Sequence, residues 1–274
     1  GDRAFYRHYL LLAVPMILQN AITNLVSFLD NIMVGQLGTE QMSGVAIVNQ
    51  LIFVYNLAIF GAVSAASIFG AQYFGNGDHR GHMHSFRFKL YATLLVSGLT
   101  MLLLLTKGSN LISLYLTDTV GNGATDVALQ YGKQYLVIML VGLVPFAVNQ
   151  AYATNIKETG QTLVPMLASF VAVGTNAVLD YLLIFGVGPF PKLGVTGAAL
   201  ATVIARYVEA VIVVFWAHRN REKNRYLEGA YRGFGIPVSE LKTILIKGLP
   251  LMFNEVLWAA GMTTVTQCYS AAST

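Results

Sequence analysis

Seven stretches of apolar residues run along the chain, near 9–34, 45–70, 88–106, 132–155, 164–187, 195–217 and 244–268. About 20 helical residues, rising 1.5 Å each, cross a hydrocarbon core of about 30 Å, so each stretch is long enough to span a bilayer. The joints between them carry turn signals: Gly35 and Gly38, GNGDHRGH from Gly75, Gly121 and Gly123, Lys157 to Gln161, and GPFPKLG from Gly188. The segment from His218 to Leu241 has room for surface structure of its own. This pattern predicts an all-α polytopic membrane protein. Residues 1–217 form a six-helix transmembrane lobe, 218–243 a cytoplasmic linker, and 244–274 the first helix of a second lobe.

The first span departs from plain hydrophobicity. Between Pro15 and Gly38, the polar residues Asn20, Thr23, Asn24, Ser27, Asp30 and Asn31 recur at three- and four-residue spacing. That spacing lines them along one helix face, with leucine, isoleucine and methionine on the rest. A carboxylate in hydrocarbon is costly, so Asp30 is expected to face a bundle interior or a water-filled cavity. A polar seam that merely packs helices is the competing reading.

Composition supports the membrane assignment: 55% of the residues are hydrophobic and 11% charged, against roughly 25% charged in an average soluble domain. A net charge of +4 with no folded basic face gives no footing for nucleic-acid binding. The single cysteine, Cys268, excludes an intrachain disulfide. With the N-terminus inside, 13 basic residues fall on the inner side, Lys107, Lys133 and Lys192 on the outer, and Arg206 within a span. Loops rich in Lys and Arg stay cytoplasmic, so the expected topology is N-terminus in.

The segment LAVPMILQN from Leu12 aligns with KGLPLMFNE from Lys247 through Pro15 and Pro250, at an offset of 235 residues. A repeat that begins with the seventh span implies six spans per unit in the same orientation, as in parallel-repeat transporters. The chain starts without Met and ends within an apolar run, which reads as a piece of a longer protein.

Polar residues inside the later spans carry the candidate chemistry. Asn176 and Asp180 stand at i and i+4, with Ser169 two turns below. Thr202, Arg206 and Glu209 share a face of the sixth span, and Arg206 and Glu209 are expected to pair with each other, since each alone would be costly. Measured from the outer end of each span, Asp30, Asp180 and Thr202 lie about 7, 9 and 12 Å deep, so one outer-leaflet pocket could hold all three. Its oxygens suit a proton or a hard cation such as Na⁺. Pro145 is expected to bend the fourth span. Gly61, Ala65, Gly194, Gly197 and Ala198 are expected to pack helices closely.

Other motifs point away from enzymes and resident metals. His79, His82 and His84, with Arg80 and Arg87, read as a solvated basic loop. Gly75 to Asp78 spell the GxGD of intramembrane proteases, but in a hydrophilic turn. HExxH, paired Cys-His spacing and a phosphate-binding Walker loop are absent from the sequence.

Four segments together resemble the multidrug and toxic compound extrusion (MATE) transporters, nearest their DinF-like and NorM-like prokaryotic members. They are Pro15-Met16 with DNIMVGQLG from Asp30, GAQYFGNGD after the second span, NAVLDYLLIFG from Asn176, and GVTGAALATV from Gly194. The resemblance implies a twelve-span, pseudo-twofold transporter of two six-helix lobes that exchanges H⁺ or Na⁺ for organic cations by alternating access, with no further cofactor. This chain would supply the first lobe and the first helix of the second. The family's first-lobe cation site maps onto Asp30, Asn176, Asp180 and Thr202, with Tyr135 as the tyrosine of the fourth span. Glu255, Asn20 and Gln150 are the candidates on the substrate or second-lobe side, although Glu255 stands closer to Pro250 than the family's seventh-span acid does to its proline. The expected partners are small organic cations, the plasma-membrane bilayer and a C-terminal lobe of the same polypeptide. A lipid-linked glycan flippase, or a membrane enzyme with paired Asp as acid and base, are the rival readings.

Overall fold

The structure, a computed structural model, describes residues 3–116, 124–232 and 235–248, with positions 250, 257 and 261 beyond. Its helices are α1 (Arg3–Gly35), α2 (Thr39–Gly75), α3 (His79–Leu116), α4 (Ala124–Val141), α5 (Leu143–Glu158), α6 (Leu163–Phe185) and α7 (Val195–Arg219), followed by a short 3-10 turn at Arg225–Leu227. Residues 238–248 are again helical. Five of these helices are long and apolar enough to cross a membrane, and α4 with α5 make a sixth span bent by 44°. The lobe is therefore an all-α membrane bundle, with Leu95, Leu114, Val211 and Phe215 turned outward and each more than 60% exposed. The predicted seventh span lies largely outside the described residues.

The bend falls where the sequence places Pro145. A proline inside a helix cannot donate to the carbonyl four residues back, and its ring crowds that carbonyl. The chain breaks at Gly142, and two side chains serve carbonyls there: the buried Tyr55 donates to Leu143 O at 2.8 Å, and the half-buried Arg206 Nη1 to Gly142 O at 3.3 Å. The α6 to α7 connection closes on Gly186, whose φ of +71° suits glycine, and Leu193 N returns to Leu183 O at 2.8 Å. Gly197 then lies against the Leu183 backbone, where a Cβ would come within 2.7 Å. This is the close packing that small residues allow between membrane helices. Likewise Gly248 meets Ala65 of α2, at a spacing that leaves 2.5 Å for a Cβ.

The basic loop expected around His79 is in fact the first two turns of α3. Asp78 Oδ1 caps the helix by accepting from the backbone N–H of Arg80 and Gly81, at 3.1 and 3.0 Å. Asp78 is thus a capping residue in a turn. His79 and Arg80 are exposed, as expected, but further along the helix His82, Arg87 and Lys89 turn into the protein. His82 is 1% exposed and Lys89 0%. Lys89 Nζ donates to Glu158 and, at 2.7 Å, to Asn155 Oδ1, while His82 Nε2 lies 3.2 Å from Glu158 Oε2. Gly70 makes room for this carboxylate, since a Cβ there would sit 2.2 Å from Glu158 Oε2. The guanidinium of Arg87 is held by the carbonyls of Gly229, Ala230 and Gly235 at 2.7 to 2.9 Å, and of Arg232 at 3.2 Å. Periodicity alone could not foresee this, because these residues match one another across α3, α5 and the linker.

The linker belongs to the lobe's packing. Tyr226, Leu227 and Ala230 are buried in a second core cluster with Phe86, Tyr152, Ile156, Ala168 and Val213. Burial, and then the Glu158 charge, raise the Tyr226 phenol above its ordinary range, so it stays neutral.

Candidate functional site

The polar face of α1 meets the bundle at Asp30. α1 packs chiefly on α6 and presents its remaining surface outward, so Leu11, Ile17, Leu25 and Phe28 are exposed. Asp30 is half-buried, and its Oδ1 is buried with no hydrogen-bond partner among the described residues. Asp180 on α6 is 1% exposed, and its Oδ1 is likewise buried with no hydrogen-bond partner among the described residues. The two carboxylates lie within electrostatic reach of each other. Two acceptors left bare in a low-dielectric interior make a costly arrangement that a proton or a cation relieves.

Neighbouring helices supply the rest of the pocket. Asn176 lies one turn below Asp180 on the same helix. Its Nδ2 reaches Thr202 Oγ1 on α7 at 3.5 Å. Tyr135 on α4, 1% exposed, is in reach of both aspartates and of Thr202 and donates to Asn49 Oδ1 on α2 at 3.2 Å. Five predicted residues, Asp30, Tyr135, Asn176, Asp180 and Thr202, therefore converge from α1, α4, α6 and α7. Three others do not join them. Asn20 is exposed ten residues along α1, Gln150 is half-buried on α5, and Glu255 lies outside the described residues.

The expected pairing of Arg206 with Glu209 is not formed: among the described residues no ion pair joins them. Arg206 instead sits over the ring of Phe146, 5.0 Å from its centroid, and serves Gly142 O at the bend. Glu209 accepts from Ser169, whose Oγ in turn accepts from Gln19 Nε2 at 2.6 Å. Each charge finds its partner on another helix. Asn49, Gln19 and the Tyr55 contact were not foreseen, because single polar residues on an apolar helix give no periodic signal.

With this geometry in place, comparison with known proteins is decisive for the family. The model of the family described as MatE matches residues 15–182. The chain belongs to the MatE family. It is 26% identical over 255 residues to the probable multidrug resistance protein NorM of Thermotoga maritima, covering 92% of this chain and 52% of that protein. To the protein of the same name from Rhizobium meliloti it is 29% identical over 224 residues, covering 81% and 46%. This MatE chain thus spans about half the length of the curated relatives it matches. Its fold is that of a solved outward-facing multidrug resistance MATE family transporter of the MOP superfamily, with a TM-score of 0.80 at 22% identity over 93% of this chain and 54% of that one. A MATE crystal structure in the bent conformation gives 0.79 at 22% identity, covering 94% and 55%.

Proposed function

We propose that the intact protein is a secondary active transporter that expels organic cations in exchange for H⁺ or Na⁺, with Asp30 and Asp180 as its ion-loading carboxylates. The observation that carries this reading is the pair of carboxylates within electrostatic reach of each other, each with a buried oxygen that has no hydrogen-bond partner among the described residues, near the Tyr135 phenol, the Asn176 amide and the Thr202 hydroxyl. A proton taken up by either aspartate turns one acceptor into a donor and removes a charge. Na⁺, an oxygen-seeking ion, would use the same oxygens as ligands. The names of the relatives support multidrug efflux. The protein sits in the plasma membrane with its N-terminus inside, and a second lobe of the same polypeptide completes the path. The reading assigns no reaction chemistry to the chain.

The test is uptake of a fluorescent organic cation by vesicles containing the intact protein, driven first by a proton gradient and then by a sodium gradient. One gradient should drive transport, and Asp180→Asn should abolish it with expression near normal. Uptake that neither gradient drives, or that persists at every pH in Asp180→Asn, refutes the assignment.

A further inference from the structure

The outer face of α5 and α7 carries a groove of about 550 Å³, lined among others by Val144, Val148, Tyr207, Val211 and Phe215 and ending at His218. Eleven residues of α7 separate Tyr207 from His218, a rise of about 16 Å. This is about half of the roughly 30 Å hydrocarbon core, the depth of one leaflet. Along α7 from Thr202, the groove begins about 8 Å away at Tyr207 and ends about 24 Å away at His218.

A second cleft of about 350 Å³ opens at the His218 end, lined by Arg221, Leu227, Glu228, Gly229, Tyr231 and Arg232. His218 and Tyr231 join the two spaces. Their rings stack at 5.9 Å and 15°, and the Tyr231 hydroxyl lies 3.4 Å from His218 Nε2. His218 Nδ1 donates to Val214 O at 2.9 Å, which in the neutral ring leaves Nε2 to accept from Tyr231, while Tyr152 shares the Tyr231 oxygen. The loop that forms the cleft is held in shape from behind, because the four carbonyls around Arg87 are those of Gly229, Ala230, Arg232 and Gly235. Two guanidinium groups against the one carboxylate of Glu228 give the cleft a positive balance.

The geometry points to a phospholipid site: one acyl chain lies in the α5/α7 groove, and an anionic headgroup sits between Arg221 and Arg232, in the leaflet on the His218 side. Three observations fit this occupant. The apolar length matches one leaflet, the half-exposed Tyr231 stacks on His218 at the groove's end, as interfacial aromatic rings do, and Arg221 and Arg232 line the cleft beyond it.

The experiment uses the intact protein, delipidated in detergent, with lipid binding followed by native mass spectrometry and by the shift in thermal unfolding. Dioleoylphosphatidylglycerol should bind more tightly than dioleoylphosphatidylcholine. The double variant Arg221→Gln/Arg232→Gln should lose that preference, with phosphatidylglycerol affinity falling by about 30-fold. Val211→Trp, at an exposed groove position, should weaken both lipids in a protein that still elutes as a folded species. Glycerol 3-phosphate, a headgroup without a chain, should give no shift. Equal binding of the two lipids marks ordinary annular contact and overturns the site. So does a preference that survives in the double variant, unchanged binding in Val211→Trp, or a full shift with glycerol 3-phosphate alone.

Discussion

The hydroxyl of Tyr55 on α2 reaches across to α5 and donates to the Leu143 carbonyl at 2.8 Å, one residue past the break in the fourth span. The same oxygen lies 2.8 Å from Ser97 Oγ on α3. A bent helix in hydrocarbon has carbonyls that water cannot reach, and neighbouring helices must satisfy them. Tyr55 does this while 2% exposed, so the bend near Pro145 is a supported feature of the lobe.

Tyr55→Phe removes that donor and leaves the Leu143 carbonyl and Ser97 facing a ring. We expect a loss of roughly 1–2 kcal/mol, the range for an abandoned buried hydrogen bond in a membrane interior, read as a lower thermal midpoint of the purified protein. Ser97→Ala should cost less, because its partner hydroxyl keeps the carbonyl. An unchanged midpoint in Tyr55→Phe would mean that the bend needs no such support.

The buried carboxylate of Glu158 joins Lys89, 0% exposed, to His82, 1% exposed. Breaking a buried pair by removing one partner strands the other charge, at roughly 3–5 kcal/mol, whereas removing both spares that cost. Lys89→Met should therefore be severely destabilising, and Lys89→Met with Glu158→Gln less so. A double-mutant cycle on unfolding midpoints measures the coupling. Additive losses would show that the pair contributes nothing specific. Gly70→Ala should cost stability in the wild type by pressing its methyl group into the Glu158 carboxylate.

The aspartate pocket was readable because its members are regular. Asn176 and Asp180 stack one turn apart on a mostly apolar helix, and their depth agreed with that of Asp30 and Thr202. Rotation was not readable. Arg206 and Glu209 face the same way along α7, yet one turns to Phe146 and Gly142 and the other to Ser169. Spacing fixes neighbours on a helix but not the helix opposite. The same limit hid the burial of His82, read as part of a solvated basic loop, and of Lys89, at the start of the third span. Their partner Glu158 comes 69 residues after Lys89.

The uneven distribution of basic residues predicts topology. In a cysteine-free background with Cys268 replaced, a cysteine at exposed Arg225 should resist a membrane-impermeant thiol reagent added to intact cells. One at exposed Asp126 should react. The opposite labelling would invert the lobe and move the proposed lipid site to the other leaflet.

Asp30 and Asp180 should load one cation jointly. They lie on different helices, within electrostatic reach of each other, and each keeps a buried oxygen with no hydrogen-bond partner among the described residues. Two adjacent carboxylates in low dielectric repel strongly when both are ionised, so one proton or Na⁺ between them stabilises the pair more than either site alone. If that cation competes with the drug, drug affinity of the intact protein falls as pH drops, or as Na⁺ rises. Asp30→Asn and Asp180→Asn each remove the shared charge. Either should abolish most of that dependence, and the double variant should add little. The comparison is made by titrating binding of a fluorescent organic cation against pH and against Na⁺ for all four proteins. Residues acting as a unit lose their function when either is removed, so non-additivity is the signature. Independent and additive losses would separate the two aspartates into distinct sites, despite their proximity in the fold.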